Sequence, residues 1–103
     1  MAPIATKRAL ASTTPGQMVL ADASRDDLFV TNEDAAIIIR VGRADVVNAS
    51  GTAALVGIGI PPGQTLPLIS SPQGGSKIAA QEWWIVSDSG TPAYSVLEYG
   101  DFS

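Results

Sequence analysis

WWIVSDSGTPAYSVLEY, residues 83–99, is the stretch on which the fold turns. It contains two runs, WWIVSD (83–88) and AYSVLEY (93–99), rich in the β-branched and aromatic residues that suit a pleated, half-buried surface. Between them lie Ser89, Gly90, Thr91 and Pro92, residue types that reverse a chain. Taken as a hairpin with a two- or four-residue loop, the stretch places Trp83, Ile85, Tyr94 and Val96 on one uniformly apolar face. Trp84, Val86, Ala93, Ser95 and Leu97 then share the other, more mixed face, and a three-residue loop inverts the relation. The first register assigns Trp83 to the core and leaves Trp84 to face a partner.

Working outward, five more runs of the same kind precede this pair: QMVLAD (17–22), DLFVTN (27–32), AAIIIRVG (35–42), AALVGIGI (53–60) and QTLPLI (64–69). Short apolar runs punctuated by Gly, Pro, Asn and Asp predict an all-β fold, an antiparallel β-sandwich, jelly-roll-like or Ig-like, of about seven to eight strands. In PPGQ (61–64), Pro62 presets the backbone and Gly63 takes the positive φ of a type II turn. TNEDAA (31–36) supplies a polar reversal, and SSPQGGSK (70–77) reads as a mobile surface loop. VTNEDAAIIIRV (30–41) weakly echoes VSDSGTPAYSVL (86–97), a likeness that two ordinary hairpins explain better than a duplication does. Residues 1–16 keep no period and end in Pro15-Gly16, so they are predicted to form an extended N-terminal arm ahead of a sandwich domain spanning 17–103.

Composition removes whole classes of chemistry. At 103 residues the chain is one domain, and 46% apolar against 16% charged residues is a globular balance. Without cysteine there is no disulfide, thiolate site or cysteine nucleophile, and without histidine the commonest general base and metal ligand are gone. A net charge of -4 with six scattered Lys and Arg residues disfavours nucleic acid as a partner. No run approaches the roughly 20 apolar residues of a membrane span. MAPIATKRALAS (1–12) lacks the apolar centre of a secretory signal, so the mature protein is expected to be the encoded one. Asp26-Asp27 and Glu33-Asp34 sit at turns, where solvated carboxylates are the norm, and no metal or cofactor is expected. No nucleophile elbow, P-loop or dinucleotide fingerprint occurs, so an enzyme is not expected. Trp84, Tyr99 and Phe102 are available as a stacking platform for a sugar, although aromatic side chains more often pack a core or an interface.

The order LFVTNEDAAIIIRVG (28–42), GIPPGQTLPL (59–68) and WWIVSDSGTPAYSVLEY (83–99) resembles small β-sandwich virion proteins of tailed bacteriophages, which close on a pattern similar to I-S-x-S-G-T-x-x-x-V-L-E. The matching positions are Val86 to Thr91 and Val96 to Glu98, with Pro62-Gly63 as the middle landmark, over about residues 28–99 with gaps. Segments 42–56 and 70–81 make this chain longer in the middle than that pattern. The resemblance implies a head decoration (cement) protein, made in the host cytoplasm and carried on the capsid exterior of the virion. Its partner would be the major capsid protein, met at subunit junctions and bound without covalent chemistry. The alternative is a carbohydrate- or receptor-binding module of a phage head or tail fibre.

For such a role the arm is the part to watch. Ordering 14 residues costs on the order of 14–28 kcal/mol of backbone entropy. Burying Ile4 and Leu10 returns about 3–6 kcal/mol. The arm is therefore expected to dock by main-chain hydrogen bonds to a neighbour's sheet edge, with Lys7 and Arg8 meeting acidic groups there. The expected partner-binding set is Ile4, Lys7, Arg8, Leu10, Trp84, Tyr99 and Phe102. A homo-oligomer is expected, a trimer slightly preferred over a dimer because trimers suit threefold junctions.

Overall fold

The computed structural model describes residues 2–43, 46, 57–69 and 78–102, with the backbone alone at 2–5, 101 and 102. Among the described residues eight strands run in chain order: β1 (Ala2–Leu10), β2 (Gly16–Val19), β3 (Arg25–Asn32), β4 (Ile39–Gly42), β5 (Ile58–Ile60), β6 (Thr65–Ile69), β7 (Trp83–Ser87) and β8 (Ala93–Phe102). A single 3₁₀ turn, Ile78–Ala80, precedes β7. The strands form two four-stranded sheets, sheet A in the order β1-β8-β3-β6 and sheet B in the order β2-β7-β4-β5. All pairings are antiparallel. The pairs β1·β8, β2·β7, β3·β6 and β4·β5 are nested, as though one long hairpin had been rolled up so that β8 also meets β3 and β7 also meets β4. That is the jelly-roll form of the β-sandwich, one of the two forms expected from the sequence.

Alternation along the strands builds the core. Leu28, Val30, Leu68, Tyr94 and Val96 point inward from sheet A; Met18, Ile39, Val41, Ile60 and Ile85 meet them from sheet B, with Ala11 and Ala79 closing the ends. Gly63 has φ 75°, and the Gln64 N–H donates to Pro61 O at 3.1 Å, so the type II turn forms as the sequence predicts. Gly100 has a different reason: a Cβ there would stand 2.1 Å from Ser24 O, where the start of β3 crosses close to β8.

Three expectations change. Residues 2–10 are not an arm outside the domain but strand β1, and its partner is this chain's own β8, not a neighbour's edge. The main-chain hydrogen bonds that the entropy cost demanded are supplied within the molecule. β7 and β8 do not pair as a hairpin: β7 lies in sheet B and β8 in sheet A, and the chain between them crosses the sandwich. TNEDAA is likewise a crossing, from β3 to β4, so the two echoing segments share a sheet-to-sheet turn and not a hairpin. Segment 70–77, expected as a mobile loop, and most of the run 53–60 lie outside the described residues.

The β3–β4 crossing is held by side chains. Asp34 Oδ2 accepts the N–H groups of Ala36 and Ile37, both at 2.8 Å. These bonds hold the Asp34 carboxyl below its ordinary value of 3.8. A depressed carboxylate contributes stability above its unfolded pKa and loses it as pH falls through the folded value. Asp34→Asn, which cannot ionise, is therefore expected to be less stable than the parent near neutrality, with the difference shrinking in acid. Urea midpoints of both proteins across the acid range test this; a constant difference counts against it.

Candidate functional site

Residues directly opposite one another in an antiparallel sheet share a face, so the register of sheet A reads out its solvent side row by row. One row is Tyr99–Asp27–Ile69, with the backbone of Ile4 opposite Tyr99, the next is Thr6–Leu97–Phe29–Pro67, and the third is Arg8–Ser95–Thr31–Thr65, with Leu10 opposite Ala93 beyond it. The first two rows are apolar apart from Asp27 and Thr6. Tyr99 is 47% exposed, Ile69 55%, Leu97 36% and Leu10 67%, while Phe29 is half-buried between its neighbours. With strands about 4.8 Å apart, the rows stretch about 14 Å across the four strands. The third row is polar: Thr31 and Thr65 share a hydroxyl hydrogen bond of 2.8 Å, and exposed Arg8 pairs with Glu33 at 2.7 Å. The face thus carries two mainly apolar rows, a polar row beyond them, and exposed Leu10 past that.

The expected site residues divide over this geometry. Arg8, Leu10 and Tyr99 lie on the outer face of sheet A, Leu10 at the opposite end from Tyr99, and the backbone of Ile4 lies opposite Tyr99, its side chain being outside the described residues. Lys7 is on the opposite side of β1, where its ammonium donates to Met18 O at 2.5 Å and ties β1 to β2. Phe102 lies opposite Ala2 at the far end of β8, past a register irregularity, and its side chain is outside the described residues. Trp84 belongs to sheet B, paired with Gln17 and Gly42; it is half-buried, and its indole N–H is enclosed without a partner. Trp84 and Tyr99 are thus in different sheets and do not form a shared stacking platform. Trp83 packs against the core, as expected, with its Nε1 donating to Ile78 O at 2.9 Å. Phe29 and Ile69 were missed as surface contributors, and Leu97 was placed on the outward face but not among the partner-binding residues. The alternation in DLFVTN would have placed Phe29 opposite Leu28 and Val30, but with both faces apolar it could not say which was outside.

A second feature lies where β1 and β2 part: an open cleft of about 420 Å³ lined by Lys7, Gln17, Met18, Asp22, Arg25 and Glu98 among others. Arg25 is 2% exposed, and four of its five N–H groups are bonded within the protein. Its Nε donates to Glu98 Oε1 at 2.8 Å, Nη1 to Ala79 O at 2.7 Å and Gln81 O at 3.1 Å, and Nη2 to Leu20 O at 2.7 Å. With Glu98 neutralising it and three carbonyls taking three more of its five N–H groups, Arg25 clasps the end of the sandwich. Among the described residues no group of three or more acidic side chains could hold a metal ion, and no helix is long and apolar enough to cross a membrane. Comparison with family models, curated proteins and solved structures finds no match for this chain.

Proposed function

We propose that the protein is a bacteriophage head decoration (cement) protein that binds the capsid exterior through the outer face of sheet A and strengthens the shell without covalent chemistry. The observation that carries this reading is the pair of apolar rows on that face, with Leu97, Tyr99 and Ile69 held in water by a rigid sheet. Scattered exposed apolar residues are ordinary; a contiguous patch on one face marks an interaction site. The site is adhesive in kind, and the sequence resemblance to phage virion proteins points the same way. A jelly roll by itself serves viral shells and lectins alike, so the face, not the fold, supports the choice. The carbohydrate-binding alternative is weakened because its expected aromatics are split between two sheets.

The partner is the major capsid protein at a subunit junction, with the polar row and the Arg8–Glu33 pair at the rim of the contact. Burying one Leu-sized side chain contributes about 1.5–3 kcal/mol, so placing a carboxylate there costs at least tenfold in affinity. Leu97→Glu and Ile69→Glu are each expected to lower occupancy on purified heads lacking the protein by tenfold or more at limiting concentration, with the unfolding midpoint kept. Heads saturated with the parent protein are expected to resist heating better than bare ones. Parent and variants binding alike, or no binding by the parent, removes the proposal. Glycan-array binding lost on Tyr99→Ala would favour the alternative.

A further inference from the structure

Among the described residues the four sheet edges are not equally protected. The Ala11 N–H donates to Pro92 O at 2.9 Å, which makes 11 and 92 a hydrogen-bonded pair, and such pairs alternate along an antiparallel ladder. Main-chain groups of Ala5, Lys7 and Ala9 therefore face β8, and those of Ile4, Thr6, Arg8 and Leu10 face away from the sheet. By the same rule the bond from the Asn32 N–H to Gln64 O, 2.9 Å, turns Leu66 and Leu68 toward β3 and leaves Thr65, Pro67 and Ile69 outward. The middle of the β6 edge is thus a proline, which has no N–H to offer, a common way to blunt an edge. In sheet B, β2 has four residues broken by a register shift, and β5 has three residues with Gly59 at the centre. Edge strand β1 has nine residues, and every outward position from Ile4 to Leu10 carries an N–H.

We propose that β1 pairs with β1 of a second copy of this chain, antiparallel about a two-fold axis at Thr6. Charge selects the register. Outward groups must face outward groups, so the axis can pass through Ala5, Thr6, Lys7 or Arg8. An axis at Lys7 or Arg8 sets like charges directly opposite one another, which is destabilising. An axis at Ala5 leaves the Leu10 end unpaired. An axis at Thr6, the midpoint of 2–10, pairs the whole strand, with Ile4 opposite Arg8 and Lys7 opposite Ala5. Lys7, bonded to Met18 O, then acts as a guard against slipped registers. The result is an eight-stranded sheet in which two outer apolar faces become one continuous surface. The contact is self-complementary and closes as a dimer. A trimer would need β1 to pair with a different edge of the next copy, and the longest of those carries Pro67.

This inference goes beyond the decoration role and is tested on the purified chain without heads. Light scattering over a dilution series is expected to give twice the 10.6 kDa chain mass. Thr6→Pro removes an outward donor and leaves the bonds to β8 in place; it is expected to halve the mass with the unfolding midpoint retained. The chain has no cysteine, so Thr6→Cys provides an independent reading. Facing itself in a hydrogen-bonded pair, with Cα atoms about 5.5 Å apart, it is expected to cross-link on mild oxidation, whereas Leu10→Cys, opposite Ala2, does not. A parent chain of single or triple mass overturns the proposal, as does a dimer in which Thr6→Cys fails to cross-link.

Discussion

Arg25→Met is expected to lower the unfolding free energy by about 3–5 kcal/mol, the cost of breaking a buried charge pair by removing one partner. For a domain of this size that corresponds to a fall of roughly 15–30 °C in unfolding midpoint. Methionine fills similar volume, so the loss is not a packing loss. Glu98 is left with a carboxylate that is largely shielded from water, and the carbonyls of Leu20, Ala79 and Gln81 lose their donor. Those groups belong to three separate segments: the exit of β2, the 3₁₀ turn with the residue after it, and β8. One side chain therefore holds together parts of both sheets. Arg25→Lys keeps the charge but replaces a planar fork by a point donor, and it is expected to recover less than half of the loss. Calorimetry of the three proteins decides; a methionine variant melting within a few degrees of the parent shows that Arg25 is not a clasp.

How far this was legible in the sequence depends on which force places each element. The apolar runs became β2 to β8 because burial drives them and burial leaves a period-2 trace. β1 left none: its inward positions are Ala5, Lys7 and Ala9, its outward ones Thr6, Arg8 and Leu10, and it is held by main-chain bonds to β8, which any sequence can make. The faces assigned to Trp83, Ile85, Tyr94 and Val96 hold although the hairpin does not. Two sheets that share one core turn the same alternate residues inward, so alternation reports the core and is silent on which strand is the neighbour. For the proposed interaction face, Arg8, Leu10 and Tyr99 were identifiable one at a time, but the alignment of Tyr99 with Leu97, Phe29 and Ile69 is a property of register across the strands. Arg25 had no local signal: in ASRDD it reads as one more charge at a turn.

The jelly-roll order also bears on the proposed contact through the outer face of sheet A. A rolled hairpin buries the inward face of each sheet completely and leaves the outward faces to be set by other demands. On sheet A those demands produced apolar rows at one end and a hydrated ladder at the other, on strands whose backs are anchored by Leu28, Val30 and Val96, all essentially unexposed. The face is therefore presented without a loop having to order on contact, which limits the entropic cost of association.

Asn32→Asp is the other substitution with a large expected effect, and its effect depends on pH. Asn32 is fully buried at the end of β3. Its Nδ2 donates to Ile37 O at 2.8 Å and to Ile60 O at 2.9 Å, while Oδ1 accepts the Asp34 N–H at 3.0 Å. It thereby ties sheet A to the entry of β4 and to the end of β5 in sheet B. Aspartate has the same shape but, when ionised, turns an acceptor toward two carbonyl oxygens in a dry site. Burial and those neighbours raise its folded pKa above the usual value of about 3.9. When protonated it can donate to one of the two carbonyls. A raised folded pKa means that the variant's relative stability is greatest below the unfolded pKa and is lost as pH rises through the folded one. Relative to the parent, the variant is expected to lose about 1–2 kcal/mol in acid, for the one carbonyl still unpaired. Near neutrality the expected loss is about 3–5 kcal/mol, where a charge must be buried or the site must open. Urea unfolding of both proteins at matched pH isolates the difference from the titration of other carboxylates. A gap between the two that stays constant from acid to neutral pH would mean that position 32 admits water, and that the tie between the sheets is not the dry, fully bonded contact its geometry implies.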